Sequence, residues 1–200
     1  MRKSYKSDPE YVTYKGQRYD IDTDYKTALR CLEVVDDETI SDMERTLAVI
    51  YILFGFLPED TEGLEFFLQK AQLFLQCGET TETQTNRKKD MDLFKDSDYI
   101  QASFESDYGI DLQQLGHMHW WRFMRLIGGL TETSILARIR QIRNINPNDI
   151  KDPKTKQEIL EMQKELSLDD RARLTDEEIA ENNRAMEAFE ALLNNPIKRR

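Results

Sequence analysis

The sequence predicts a mainly α protein: a compact multi-helix domain with an N-terminal β-hairpin and a helical C-terminal appendage. Three observations predict this fold class. Apolar residues recur at helical spacing along most of the chain, which indicates amphipathic helices. Only eight glycines and five prolines occur in 200 residues, and this low frequency disfavours an all-β fold with many turns. One short stretch near the start is instead rich in aromatic residues that favour extended backbone.

That stretch predicts a hairpin over 11–21, after a loose N-terminal arm of residues 1–10. Aromatic residues and Val12 flank Lys15-Gly16, and Gly16 supplies the positive φ that a tight turn requires. Because an isolated hairpin is only marginally stable in water, we expect it to pack on the helices or to pair with the edge of another chain.

Two helices should follow the hairpin. Asp22 or Thr23 can cap the first helix, which runs to about Val35. Its inner stripe is formed by Ala28, Leu29, Leu32 and Val35. Ser41 and Glu44 have capping-box spacing at the start of the second, although Thr39 could also start it. The second helix is apolar almost all round, so it is the best candidate for a central buried helix.

A third helix should begin after Pro58 and end at Gly78, with an inner face formed by Leu64, Phe67, Leu68, Ala71 and Leu75. Residues 79–96 have no apolar period except at Met91, Leu93 and Phe94, and they predict a solvated loop. Asp96 or Ser97 can cap a fourth helix that Gly109 ends.

Residues 107–143 hold both tryptophans and both histidines. Trp120 falls on one helical face with Phe123, Met124 and Ile127, whereas Trp121 and Arg125 lie on a neighbouring face. We expect Trp120 to anchor the core; for Trp121 a core role and an interface role both stay open. Gly128-Gly129 should end this helix, and Thr131 can cap the next, which turns Ile135, Leu136, Ile139 and Ile142 inward.

Two motifs here resemble a known family. The runs Asp107-Tyr108-Gly109-Ile110-Asp111-Leu112 and Met118-His119-Trp120-Trp121-Arg122-Phe123 are similar to the signature of the bacteriophage gp-fifteen family of Gram-positive siphophages, whose members are encoded between the major tail protein and the tape measure protein. The resemblance extends from about Tyr11 to about Ile145.

The resemblance implies a non-enzymatic tail assembly chaperone in the host bacterial cytoplasm. Such a protein would bind the phage tape measure protein and support tail tube assembly. The upstream tail assembly protein and the major tail protein are further candidate partners, and a homo-oligomer stays open. The alternative is a structural tail or tail-completion subunit that is retained in the virion.

The residues proposed to bind protein are Trp121, Arg122, Arg125, Arg138, Arg140 and Arg143. Tryptophan and arginine are the residue types most enriched at binding hot spots. Between Asp111 and Asn144 the five arginines stand against one acid, Glu132, so we expect a local basic patch. For the last three arginines a solvated face is the expectation, and docking on an acidic helix is the alternative.

After Asn146-Pro147 the composition changes, so we predict a helical core domain over 1–147 and a helical appendage over 148–200. Pro153 suits the first turn of a helix. Thr175 to Glu178 forms a capping box for the last helix, whose narrow apolar stripe packs back on the core or binds a partner.

Several function classes are disfavoured. A net charge of −10 argues against nucleic acid as the main partner. No apolar run suffices to span a bilayer, and no secretory signal is visible, so a membrane role is not expected. Cys31 and Cys77 fit small core residues in a reducing cytoplasm.

No catalytic residue, cofactor or metal site is predicted. His117 and His119 are two residues apart, so on a helix they cannot chelate one metal together. No phosphate loop, nucleophile elbow or metalloprotease motif occurs. A hydrolase with an unfamiliar site is a third hypothesis, which would need a polar pocket with shifted carboxylate pKa values.

Overall fold

A computed structural model describes residues 8–78 and 89–169. Within them the chain is mainly α with an N-terminal antiparallel hairpin, which confirms the predicted fold class. The strands are β1 (Tyr11–Tyr14) and β2 (Gln17–Asp20), and the helices are α1 (Tyr25–Asp36), α2 (Asp42–Phe54), α3 (Thr61–Leu75), α4 (Ser97–Tyr108), α5 (Trp120–Gly128), α6 (Ile135–Asn144) and α7 (Pro153–Glu165), with a 3-10 turn at Pro147–Asp149.

The chain divides into two compact units. The first unit comprises Met1–Lys88 and Phe104–Thr131, and the second comprises Lys89–Ser103 and Glu132–Arg200. The boundary predicted after residue 147 falls within the second unit. The predicted capping box at 175–178 and the last helix lie outside the described residues, so the appendage over 148–200 stays a prediction.

The hairpin packs on a ring cluster in the first unit. Phe67 of α3 is 1% exposed, and its ring meets those of Tyr14 at 5.5 Å and Tyr19 at 5.0 Å. The turn places Lys15 at φ 47° and Gly16 at φ 81°, the two positive values of a type I′ turn. The hairpin therefore packs on helices, as expected, and its positive φ extends to Lys15, which the sequence did not predict.

The helix starts follow local capping chemistry, with one shift in the first unit. Ser41 and Glu44 form the predicted capping box of α2. The side chain of Asp24 caps α1, rather than Asp22 or Thr23, since it accepts from the backbone N–H of Lys26. Asp22 instead accepts a side-chain hydrogen bond from Thr27.

The burial of α1 and α2 differs from the sequence prediction. α1 buries Tyr25, Ala28 and Cys31, whereas Val35 is 47% exposed. α2 buries Val49, Ile50 and Leu53 on one side only. The prediction that α2 is a central buried helix is therefore wrong, because the rest of its apolar surface is left partly uncovered by the described residues.

In the second unit, Ser134 rather than Thr131 caps α6, with its hydroxyl accepting from the N–H of Ala137. Thr131, in the first unit, donates from its N–H and its hydroxyl to Asp107. Leu136 and Ile139 of α6 are buried as predicted, whereas Ile135 is 43% exposed.

The start of α7 agrees with the prediction. Pro153 occupies its first turn, and Asp152 caps it. No residue of α7 is fully buried among the described residues, so this helix adds little to the core of the second unit.

Candidate functional site

The start of α5 is fixed by an unusual cap. The Nδ1 atom of His119 accepts from the N–H of Trp121 at 3.0 Å, which satisfies one of the free donors at a helix start. Its Nε2 atom lies 3.1 Å from the carbonyl of Pro9, so Nε2 carries the proton and donates. The backbone on either side pairs with the start of α1, through Trp120 N–H to the carbonyl of Thr23 at 2.8 Å.

The two tryptophans close the C-terminal end of α3. The indole N–H of Trp120 donates to the carbonyl of Leu75 at 3.0 Å, and that of Trp121 donates to the carbonyl of Phe74 at 2.8 Å. A helix leaves its last four carbonyls without intrahelical partners. Backbone N–H groups of 76–78 reach the carbonyls of 72–74, so the indoles complete the set. The Trp-Trp pair therefore acts as a side-chain cap for a neighbouring helix.

The environment of Trp121 decides between its two predicted roles only in part. Its ring stacks with that of Phe74, with centroids 6.5 Å apart. A Cβ atom added to Gly78 would lie 3.0 Å from the Trp121 ring, so a glycine is required there by close approach as well as by its φ of 78°. Trp120, at 1% exposed, is the predicted core anchor; Trp121 is half-buried with a structural role, and an interface role stays a prediction.

Arg125 holds the N-terminal arm against α5. Its two terminal nitrogens bond the two carboxylate oxygens of Asp8 at 2.8 and 2.7 Å. The hydrogen bond from the Arg125 guanidinium lowers the pKa of Asp8, although partial burial opposes this shift. The arm predicted to be loose over 1–10 is thus anchored at Asp8 and Pro9, while residues 1–7 lie outside the described residues. Arg122 is exposed, and no acid in 8–78 or 89–169 pairs with it.

Arg143 in the second unit is buried, which corrects the expectation of a solvated face. Its NH1 and NH2 atoms bond Asp96, each at 2.7 Å, and the two side chains are 6% and 0% exposed. Nε donates to the carbonyl of Leu166 at 2.6 Å, and NH1 also donates to that of Asp90 at 3.0 Å. The guanidinium thus ties the end of α6 to the residues before α4 and after α7, and it is not open to a partner.

The other two arginines of α6 differ from it. Arg140 is half-buried and lies 3.2 Å from a carboxylate oxygen of Asp90, whereas Arg138 is exposed without an acidic partner among the described residues. Three of the five arginines in the predicted basic patch are therefore paired with aspartates far away in sequence. Of these five, Arg122 and Arg138 are the exposed arginines without an acidic partner among the described residues, and a role of the arginines in binding protein stays a prediction.

A second surface lies on α2, which the sequence predicted to be a buried helix. We call it the α2 stripe and define it as Met43, Leu47 and Tyr51. Met43 and Tyr51 are 62% and 58% exposed, and Leu47 is half-buried. Residues spaced by four share one helical face, so the three form a continuous apolar strip. The sequence contained a signal for this surface, because a helix that is apolar all round is either central in a core or in contact with a second surface.

The family model described as Bacteriophage Gp15 protein matches residues 7–168. The chain belongs to this family. Family membership makes it a phage structural or tail-related protein. The resemblance to a bacteriophage gp-fifteen family is confirmed, whereas the assignment to siphophages of Gram-positive hosts stays a prediction. A search of curated proteins and one of solved structures gave no match to this Gp15 chain.

Two further properties of the Gp15 chain bear on its chemistry. Over residues 8–78 and 89–169, no helix is long and apolar enough to cross a bilayer. In the same part of the chain, no three His, Cys, Asp or Glu side chains are grouped as a metal ion would require.

The candidate binding residues are divided between the two units. Arg122, Arg125 and the α2 stripe belong to the first unit, whereas Arg138, Arg140 and Arg143 belong to the second.

Proposed function

We propose that this Gp15 chain is a non-enzymatic tail assembly chaperone that works in the host cytoplasm. It would bind the phage tape measure protein and support assembly of the tail tube. One observation carries the proposal: in a tail-related protein, the α2 stripe leaves Met43 and Tyr51 more than half exposed. Large apolar side chains that are exposed next to one another mark interaction surfaces.

The stripe suits a helical partner. Met43 and Tyr51 are eight residues apart, which is about 12 Å along a helix axis. An apolar helix laid along α2 would contact both through residues spaced by three and four, as in other helix-in-groove complexes. Acidic residues are concentrated in the sequence just before and at the start of α2, and only Asp42 of them pairs with a base, Arg45, among the described residues: Asp36, Asp37, Glu38, Asp42 and Glu44. The partner that fits is therefore an apolar helix with basic flanking residues.

Such binding would act by mass action. A partner present at 100 times its dissociation constant lowers the free population by about a hundredfold, or ~2.7 kcal/mol. Covering apolar helix surface of the tape measure protein in this way reduces the fraction that can aggregate before the tube forms. No covalent step is needed.

The test is co-expression with the tape measure protein, followed by quantification of the soluble complex. Met43→Glu/Tyr51→Glu should reduce soluble tape measure protein by about tenfold or more, since buried unpaired charge costs well over the 1.4 kcal/mol that a tenfold loss requires. The matched control is Leu160→Glu/Met162→Glu on α7, where the side chains are 48% and 43% exposed. It adds the same charge to another helix and should leave the complex within about twofold.

Equal loss in both double variants, or no complex with the unmodified chain, would contradict the proposal. Circular dichroism of each double variant checks that it is folded, which is expected because all four side chains are at least two-fifths exposed.

A structural or tail-completion subunit retained in the virion is the second candidate. The observation that favours it is the hairpin, whose outer strand edges have no backbone partner among the described residues. Open edges can add strands from another subunit. Mass spectrometry of purified virions separates the two functions, because a chaperone should be missing from the particle and a subunit should be present at stoichiometric amounts.

A further inference from the structure

The outer edge of β2 presents a short self-complementary surface. Ile21 N–H donates to the carbonyl of Glu10 at 2.8 Å, and Tyr11 pairs with Asp20 in the next position. Hydrogen-bonded and non-hydrogen-bonded pairs alternate along an antiparallel ladder. Arg18 and Asp20 are therefore in non-hydrogen-bonded positions, and their N–H and C=O groups point away from β1.

The neighbouring positions define how far this edge extends. The next outward N–H along the chain, that of Asp22, donates to the carbonyl of Leu53 at 2.8 Å, so the end of α2 closes the edge there. Lys15 at the turn pairs with Glu62 at 3.1 Å, which fixes the hairpin tip to the start of α3. Between these points, the backbone groups of Arg18 and Asp20 have no partner among the described residues.

The charges on this edge are complementary to those of a second copy that is related by a two-fold rotation. Arg18 Nε lies 2.7 Å from a carboxylate oxygen of Asp20, and the two side chains are 58% and 74% exposed. The Arg18 guanidinium also lies over the ring of Tyr11, 4.0 Å from its centroid, which holds it on the solvent face of the hairpin. A second β2 strand placed antiparallel across a two-fold axis at Tyr19 would set each Arg18 opposite Asp20 of the other copy.

We propose that two copies of this chain associate through β2, pairing antiparallel about Tyr19 to form a four-stranded sheet. Arg18 and Asp20 then form two hydrogen-bonded residue pairs across the axis, which exchange about four backbone hydrogen bonds. Opposite charges face each other on the exposed side, an arrangement that stabilises cross-strand pairs. The two-fold operator closes the contact, so it yields a dimer rather than a fibre.

The β1 edge is the weaker alternative. Its outward positions are Tyr11 and Thr13, and a two-fold pairing about Val12 would set these neutral residues opposite one another. No charge complementarity selects that register. A contact between β1 of one copy and β2 of another would be head-to-tail and would leave an edge free for a further copy.

A charge-swap experiment on the full chain tests the proposal. Sedimentation of the unmodified 23.6 kDa chain should show a rise toward twice that mass between about 10 µM and about 1 mM, the range for a small interface. Asp20→Arg and Arg18→Asp should each remain monomeric, because each places like charges opposite one another. An equimolar mixture of the two variants should recover the dimer, since their charges are complementary.

Proline substitutions locate the edge. Asp20→Pro removes an outward N–H without breaking a bond to β1, so it should abolish the dimer and leave the hairpin intact. Thr13→Pro makes the same change on the β1 edge and should leave the dimer unchanged. A monomer at all concentrations, a dimer that survives Asp20→Pro, or no recovery in the mixture overturns the proposal. These measurements use the chain alone, so their outcome is independent of binding to the tape measure protein.

Discussion

The pairing of Arg143 with Asp96 allows a test of how burial changes the contribution of an Arg–Asp ion pair to stability. Removing one partner of a buried, hydrogen-bonded ion pair leaves an uncompensated charge and costs about 3–5 kcal/mol. Arg143→Met removes the guanidinium and leaves Asp96, which is 0% exposed, with one remaining donor among the described residues, the N–H of Asp92. Asp96→Asn leaves the guanidinium without its counter-charge. We expect each to lose about 3–5 kcal/mol of unfolding free energy, a large part of the 5–15 kcal/mol typical of a domain.

The chain contains its own control for this prediction. Arg125 and Asp8 form the same two-bond contact at 2.8 and 2.7 Å, but their side chains are 59% and 23% exposed. Exposed ion pairs contribute about 0–1 kcal/mol. Asp8→Asn should therefore cost no more than about 1 kcal/mol, although its two bonds to the guanidinium are nearly as short as those between Arg143 and Asp96.

Urea unfolding at neutral pH, followed by circular dichroism, measures both changes. Because the chain has two compact units, hydrogen exchange of the α6 amides should accompany it, so that loss in the second unit is seen directly. The double variant Arg143→Met/Asp96→Asn should cost less than the sum of the single changes. Equal costs for Asp96→Asn and Asp8→Asn, or strictly additive single changes, would refute the reasoning.

Three further outcomes can be checked on the purified chain. Trp120→Phe should lower the free energy of unfolding in urea by about 1–3 kcal/mol, and Trp121→Phe by about 0.5–1.5 kcal/mol. The second cost is smaller because the carbonyl of Phe74, which bonds Trp121, also accepts a backbone N–H and is not left unpaired. A larger loss for Trp121→Phe than for Trp120→Phe would contradict the capping account. Burial opposes ionisation of Asp92, but hydrogen bonds from a lysine side chain and two backbone amides lower its pKa to about 2 from 3.8. The contribution of ionised Asp92 to the free energy of unfolding is therefore complete above about pH 4 and is lost as the pH falls toward 2. Asp92→Asn should lower the free energy of unfolding by on the order of 2 kcal/mol at pH 6 and by little at pH 2. The same loss at both pH values would contradict this prediction. Burial raises the pKa of the Cys31 thiol to about 12, so an aromatic disulfide reagent should label Cys77 in the native chain and both thiols only after unfolding.

Local signals in the sequence were sufficient for much of the fold. The two strands and the seven α-helices of the described residues were predictable, because capping residues, glycines with positive φ and apolar periods act within a few residues of one another; the 3-10 turn at Pro147–Asp149 was not predicted. The capping box of Ser41 and Glu44, the proline in the first turn of α7 and the turn at Gly16 all occur as predicted. Where a cap was misplaced, as at Thr131, a distant carboxylate had bonded the residue instead.

The candidate site was less predictable, since its character depends on partners far away in sequence. Arg143 meets Asp96 across 47 residues, and Arg125 meets Asp8 across 117, so an apparent basic patch is mostly paired. Indole donors reach helix carbonyls about 46 residues earlier, which periodicity cannot show.

The sequence by itself determined the mainly α class, the hairpin, most helix boundaries and, through the Trp-Trp-Arg-Phe run, the family. Tertiary structure alone decided which apolar faces are covered: α2 has the apolar surface of a core helix, yet the chain buries only one side of it. The physical reason is that the pattern of apolar residues indicates how much free energy a helix face would gain from burial. Whether that face is buried depends on which other elements can pack against it.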